Sequence, residues 1–326
     1  MFTLVVASLL VPQAPMPREK PNPVRAAVTR ALPQLIVGAE HHAEQKSCFS
    51  CHNQACPVLA LAAARAHGFD PPASFFKGQA AHVADYLAQQ QEKFQTNDGV
   101  LGGVDTAGYA LMTLELAGHK PDDATAAVVA YLIDYPGKAE HWRAVSYRPP
   151  TEASAFTPTY LALRALRYWG TAKQQERIEK RVAPARGWLL KTPAKDTEDR
   201  VFRLLALKEA GADETAIAAA VGDLLKTQRA DGGWGQLDSM ESDAYATGSA
   251  LVALHDGGGV KADHAAYRAG VAFLIKSQGP DGTWRVKSRS FPLQPYYESG
   301  FPHGKNQFIS IAATGWATTA LVLGGE

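Results

Sequence analysis

Cysteine is nearly missing from this 326-residue sequence: there are three, and none lies beyond position 56. A four-thiolate iron–sulfur cluster is therefore excluded. Net charge is missing as well, with Lys+Arg 33 against Asp+Glu 32 giving +1. No basic patch or charged tail stands out, so nucleic acid is not an expected partner. An apolar run at the N-terminus, Phe2 to Val11, is too short to span a membrane. No Lys or Arg precedes it, yet its length and the small residues near Ala14 suit a signal-peptide core. Residues 1–16 are read as a leader and 17–326 as one domain, exported to the periplasm or otherwise outside the cytoplasm, with no transmembrane segment beyond the leader.

What is present is repetition. Six alanine-rich apolar segments recur about every 50 residues, at 56–69, 105–118, 156–170, 198–211, 243–258 and 309–325. Each ends near a Gly, suited to a left-handed helix cap, and each is apolar almost all round, as a helix packed on several sides must be. More polar amphipathic segments alternate with them, near 74–92, 122–135, 173–191, 213–228 and 263–278, with 23–36 as a sixth. Asp122, Asp213 and Asp263 stand where N-caps belong. Six inner and six outer helices can close on themselves, so the expected fold is all-α, an (α/α)6 toroid.

Two segments, "LLKTQRADGGWG" (224–235) and "FLIKSQGPDGTW" (273–284), share Gln, then Asp-Gly, then Trp. Asp-Gly permits a tight turn after an outer helix, the Trp can fold back on the helix end, and the Gln amide can satisfy backbone groups there. A degenerate copy without its Trp lies at 89–103. These segments resemble the QW repeats of the squalene–hopene cyclase and prenyltransferase superfamily. That resemblance implies a toroid around an apolar central cavity, and structural roles for Trp234 and Trp284.

The known chemistries of that superfamily are not matched. Hopene-type cyclases carry D-x-D-D-T-A at the start of an inner helix; here "GGVDTA" (102–107) keeps Asp105 but has Gly102 and Val104 in place of the other acids. With no acid pair in the motif, Asp105 reads as a helix cap and squalene–hopene cyclase activity is not expected. The zinc ligands of the prenyltransferases need a cysteine beyond residue 56, so that activity is not expected either.

All three cysteines fall in "HHAEQKSCFSCHNQAC" (41–56). Cys-x-x-Cys-His is the attachment pattern of c-type haem: Cys48 and Cys51 would form the thioethers and His52 would be the proximal iron ligand. The competing reading is zinc held by Cys48, Cys51 and Cys56, with His52, His41 or His42 as fourth ligand. The third is a disulfide beside a buried thiol. The immediate His and the exported start favour haem, leaving Cys56 a small buried hydrophobe. Taken with the QW repeats and "YYESGFPHGKNQFISIAATGWA" (296–317), the motif resembles a bacterial family of cytochrome-like toroid proteins. That resemblance implies fold and haem without an activity.

The longest break in the repeat, 285–308, contains Tyr296, Tyr297, Glu298, His303 and Lys305. His303 is the candidate distal iron ligand, with Met112, Met240, His41 and His42 as rivals. Asp105, Glu152, Asp199 and Asp243 precede or open inner helices and, with Tyr245, Tyr297 and Glu298, are candidates for the cavity rim. Two functions follow as expectations: a monohaem electron-transfer or redox-sensing protein with a protein redox partner, or a haem-dependent enzyme acting on an apolar, isoprenoid-like small molecule in the cavity. A zinc-stabilised binding protein is the third.

Overall fold

The structure, a computed structural model, describes residues 22–135, 139–292 and 295–325. The leader expected at 1–16 lies outside them. Thirteen helices are formed among the described residues: α1 (Pro23–Gln45), α2 (Cys56–Ala66), α3 (Ala73–Gln89), α4 (Gln91–Gln95), α5 (Gly103–Ala117), α6 (Asp123–Ile133), α7 (Phe156–Trp169), α8 (Gln175–Lys191), α9 (Thr197–Glu209), α10 (Glu214–Leu225), α11 (Ala244–Val252), α12 (Ala265–Ser277) and α13 (Gln307–Leu323). A π-helical turn, Cys51–Ala55, leads into α2, and another, Ala253–Gly257, ends α11.

Packing sorts these helices into two rings. α2, α5, α7, α9, α11 and α13 touch in that order, and α13 returns to α2, so the inner ring is closed. Outside it, α1 lies on α13, α3 on α5, α6 on α7, α8 and α10 on α9, and α12 on α11. This is the all-α toroid expected from the repeats, with α4 as a short insertion. The small residues of the inner helices let backbones approach. A Cβ on Gly248 would stand 2.6 Å from Ala317 N, and one on Gly315 would stand 2.8 Å from the Cys56 carbonyl oxygen. No described helix is long and apolar enough to cross a membrane.

The two QW turns act as expected, and one also fastens the ring. Trp234 Nε1 donates to the Leu224 carbonyl at 3.1 Å and Trp284 Nε1 to that of Leu274 at 2.8 Å. Gln228 Nε2 donates to Gly232 O at 2.8 Å and to Ala266 O of α12 at 2.7 Å. Gln278 Nε2 makes the same pair with Gly282 O and with Ala27 O of α1, at 2.8 and 2.9 Å. Each Gln thus ties its own turn to the next outer helix, and Gln278 ties the last outer helix to the first. A third staple lacks Gln and Asp-Gly: Trp142 Nε1 donates to Leu132 O at 3.0 Å, again ten residues back.

Three local expectations need correction. α1 runs through Pro33 to Gln45, beyond the end expected at 36, so His41 and His42 are helical residues. Asp122 and Asp213 cap their helices, but α12 is capped by His264, whose Nδ1 accepts from Ala266 N, and not by Asp263. Asp105 is not a cap either: Gly102 holds that place at φ 83° and Gly103 follows at φ 56°. These two left-handed glycines turn the chain sharply into α5 and make Asp105 its third residue.

Candidate functional site

The inner helices all begin at one end of the bore, here called the upper end. Their first turns, with the loops before them, bring buried titratable side chains together. From the π turn come Cys51 and His52, from α5 Asp105 and Tyr109, from the loop before α7 Thr151 and Glu152, from α9 Glu198, and from α11 Tyr245.

Asp105 is 1% exposed, and neither carboxyl oxygen has a hydrogen-bonding partner. Burial raises its pKa well above the usual carboxylate range, and the nearby Glu152 carboxylate raises it further. Glu152 is itself paired with Arg148 at 3.3 Å. The acid pair absent from the α5 motif is thus assembled in space: Glu152 takes the arginine and Asp105 keeps its proton.

Glu198 is the second buried acid. Tyr245 Oη donates to both its oxygens at 3.1 and 3.2 Å, and Thr157 Oγ1 donates at 3.3 Å. Burial still raises its pKa well above the ordinary value, outweighing those hydrogen bonds. Burial raises the Tyr109 pKa well above its usual value, and Cys56, Glu198, Cys51 and Asp105 raise it further. One layer deeper the bore is filled by aromatics. Tyr160 and Phe202 have ring centroids 5.6 Å apart, and Phe202 meets Trp316 edge-on at 6.2 Å. The buried Trp316 Nε1 also has no hydrogen-bonding partner.

Two loops cover this end. The segment 139–155 places Thr151 Oγ1 3.0 Å from His52 Nε2. The segment between α12 and α13 meets it where Ser290 Oγ donates to Pro149 O at 2.7 Å. Arg289 Nε donates to Gln236 Oε1 at 2.7 Å, and Gln236 Nε2 to Asp243 at 2.9 Å, so a third loop is stitched to the cover.

The cysteine motif was tested against this geometry. Ser50 is extended (φ −131°, ψ 120°) and separates an exposed Cys48 from a buried Cys51. Burial raises the Cys51 thiol pKa well above its usual value and that of Cys56 to about 12. His52 is held neutral, its pKa lowered to about 3 by burial and by Arg148. Its Nε2 faces the Thr151 hydroxyl, where a ligated iron would have to stand, and the two thiols open to different surroundings. In this closed arrangement the residues do not fit a thioether-bound porphyrin. Nor do Cys48, Cys51, Cys56 and His52 converge as a zinc set: among the described residues no group of three or more His, Cys, Asp or Glu is arranged to hold a metal ion.

The other candidates fall in several places. His303 caps a short turn at φ 87°, its Nε2 2.7 Å from Thr283 Oγ1 and 3.8 Å from Asp281, so the structure seats it on the second QW turn instead of facing His52. His42 lies between Tyr297 Oη (2.5 Å) and the Cys48 carbonyl (2.9 Å), and burial lowers its pKa to about 4. Tyr297 therefore supports the cysteine segment, while Glu298 is exposed and accepts from Tyr296 at 2.5 Å. Asp243 caps α11; Asp199 accepts from Lys195 N, and α9 is capped by Asp196. Met112 is buried in α5 and Met240 half-buried in a loop.

Glu198 and Thr151 were missed. The signal for Glu198 was its register: it is the second residue of α9, as Tyr245 is of α11. Thr151 lies in irregular chain, where no periodicity points inward.

Comparison with known proteins locates the fold. The family model for the squalene-hopene cyclase C-terminal domain matches residues 172–326. Among solved structures, a protein from Actinoplanes aligns with TM-score 0.60 at 15% identity, covering 93% of this chain and 100% of its own. The type II terpene cyclase MstE from Scytonema aligns at 0.57 and 17% identity, covering 93% and 98%. A variant of that cyclase in complex with its substrate, geranylgeranyl dihydroxybenzoate, aligns at 0.55 and 16% identity, covering 93% and 97%. No curated protein matches. At such identities the likeness shows a terpenoid cyclase-like toroid and leaves the chemistry to the side chains.

Proposed function

We propose that the chain is an acid catalyst acting on an apolar, isoprenoid-like substrate in the upper bore, with Asp105 as proton donor. The observation that carries this reading is the Asp105 carboxyl, buried, without a hydrogen-bonding partner and held protonated beside Glu152. Its O–H proton would pass to a terminal alkene carbon; the π pair forms the new C–H bond and leaves a tertiary cation. A second alkene then attacks that cation, and loss of a proton balances the first, so no co-reactant is consumed. Tyr109, Tyr245, Phe202 and Trp316 offer aromatic faces, which stabilise a cation without quenching it. Entry requires the two covering loops to part, since Thr151 and the Ser290–Pro149 contact close the mouth. The fold likeness to a type II terpene cyclase supports the reading.

The experiment is incubation with squalene and with geranylgeranyl-bearing phenols, followed by mass-resolved chromatography for cyclised isomers. Asp105→Asn is expected to lower turnover about 10²–10⁴-fold, the scale of a lost general acid. Unchanged turnover in that variant refutes the assignment.

The electron-transfer reading, with haem on Cys48 and Cys51, rests on the Cys-x-x-Cys-His order alone, and it requires Thr151 to withdraw from His52 and the two thiols to face together. An absorption spectrum and an intact mass, on protein from a host competent for haem maturation, test it. A colourless product at the polypeptide mass retires it.

A further inference from the structure

Five of the six tryptophans are buried, and four of those donate the indole N–H to a backbone carbonyl. Trp142 donates to Leu132, Trp169 to Leu111, Trp234 to Leu224 and Trp284 to Leu274, at 2.8 to 3.3 Å. Trp316 is the exception: it is 3% exposed, and its Nε1 has no hydrogen-bonding partner. Buried donors normally find an acceptor, because an unpaired one has lost its water for nothing in return.

The packing of α13 fixes where that side chain points. Gly315 lies against Cys56 of α2 and Ala317 against Gly248 of α11, so residue 316, midway round the helix between them, faces either the bore or the outside. Its ring meets Phe202 of α9 edge-on at 6.2 Å, and α11 stands between α9 and α13 in the ring, so the contact runs across the bore. Phe202 is one helical turn below Glu198. Tyr160, 5.6 Å from Phe202, has its hydroxyl engaged by Arg164 Nη1 at 3.1 Å. The floor beneath the acids is therefore three aromatic rings and one vacant N–H, to which Phe202 offers a ring face at most, a weaker acceptor than oxygen.

The chemistry of that vacancy selects a ligand. An indole N–H only donates, so it takes an acceptor. A carboxylate or phosphate would be an unpaired charge in an apolar layer. A carbonyl oxygen accepts without bringing a charge or a proton of its own. We propose that Trp316 Nε1 is the specificity-determining donor to a ligand carbonyl, and that the substrate is an isoprenoid-like aldehyde or ketone instead of a plain hydrocarbon. This rests on the proposed use of the bore for an isoprenoid-like substrate, with the carbonyl end on the aromatic floor and the alkene end under Asp105. It is read by binding, apart from the proton transfer at Asp105.

The test is equilibrium binding of farnesal and of farnesene, an aldehyde and a hydrocarbon of equal chain length, to the full chain. The infrared carbonyl stretch of bound farnesal is the second readout. Farnesal should bind about tenfold more tightly than farnesene, the scale of one buried hydrogen bond, and its stretch should move to lower wavenumber. Trp316→Phe keeps an aromatic ring and removes the N–H. It should bring farnesal down to the affinity of farnesene and reverse the shift, with farnesene unaffected; a thermal melt verifies that the variant folds. Asp105→Asn should keep the preference while lowering turnover, which tells the two readings apart. Equal affinities in the unaltered chain overturn the proposal, as does a preference that survives Trp316→Phe. A preference lost in Asp105→Asn and kept in Trp316→Phe assigns the carbonyl to the acid and overturns it too. If neither ligand binds, the proposal falls together with the use of the bore.

Discussion

At the lower end of the bore Glu115 accepts from Arg164 at 2.8 and 3.0 Å and Glu209 pairs with Arg167 at 2.7 Å. At the upper end Asp105 has no hydrogen-bonding partner, and Glu198 meets only the hydroxyls of Thr157 and Tyr245. Both ends belong to the same six helices and both hold carboxyl groups away from bulk water. A fold that needed only to be stable would match each buried acid with a base, as the lower end does. Keeping Asp105, Glu198 and His52 uncharged costs stability and leaves proton-bearing groups ready for use. The contrast is what the proposed acid catalysis requires of the upper end.

The largest effect that could break the contrast is on the acid side. His52 titrates near 3 in the folded chain against 6.5 for the free side chain, so below pH 6.5 the unfolded state takes up a proton that the folded state refuses. Stability should fall as pH drops from 6.5 towards 3, by at most about 4 kcal/mol from this residue. His42, at about 4, adds to the same limb. Urea unfolding at pH 7, 5 and 4 measures it, and His52→Gln should flatten the limb; an unaltered slope shows that the upper end is not held neutral.

Next in size is the lower end. Arg164→Met strands Glu115 in a half-buried place and should cost about 2 kcal/mol, between the values for exposed and buried pairs. A cost near zero would mean that the lower pair is ornamental and the contrast false.

The third effect has the opposite sign. Because burial raises the folded pKa of Asp105, the folded chain holds a proton that the unfolded chain releases above about 3.8, and stability declines as pH climbs from there. Asp105→Asn should remove that decline, making the variant relatively more stable at pH 8 than at pH 5. The same substitution should thus stabilise the chain while lowering the proposed turnover, a signature that a structural aspartate would not give.

Most of the architecture was legible in the sequence because it repeats. The small apolar segments marked the inner helices, and Asp122 and Asp213 marked where two outer ones begin. Trp142 escaped because it was sought through Gln and Asp-Gly, whereas the constant feature is a Leu ten residues before the Trp. The site was less legible. Asp105 was read as a helix cap, a place that Gly102 takes, and its nearness to Glu152 was hidden because Glu152 arrives 47 positions later on irregular chain. Cys48, Cys51 and His52 were noticed for their spacing, but spacing does not report that Ser50 is extended and that Thr151 stands against the imidazole.

The hydrogen bond from Gln278 to Ala27 spans 251 residues. α1 precedes the other described helices in the chain, and Leu35 and Ala39 share a cluster with Val58 of α2, Phe75 of α3 and Ile311 of α13, so their cover is incomplete until α13 exists. Such a long-range closure is slow, because the intervening chain must be ordered before the contact rewards it. A nascent polypeptide stopped short of α12 is therefore an open arc with a sticky leading helix, a natural client for a chaperone.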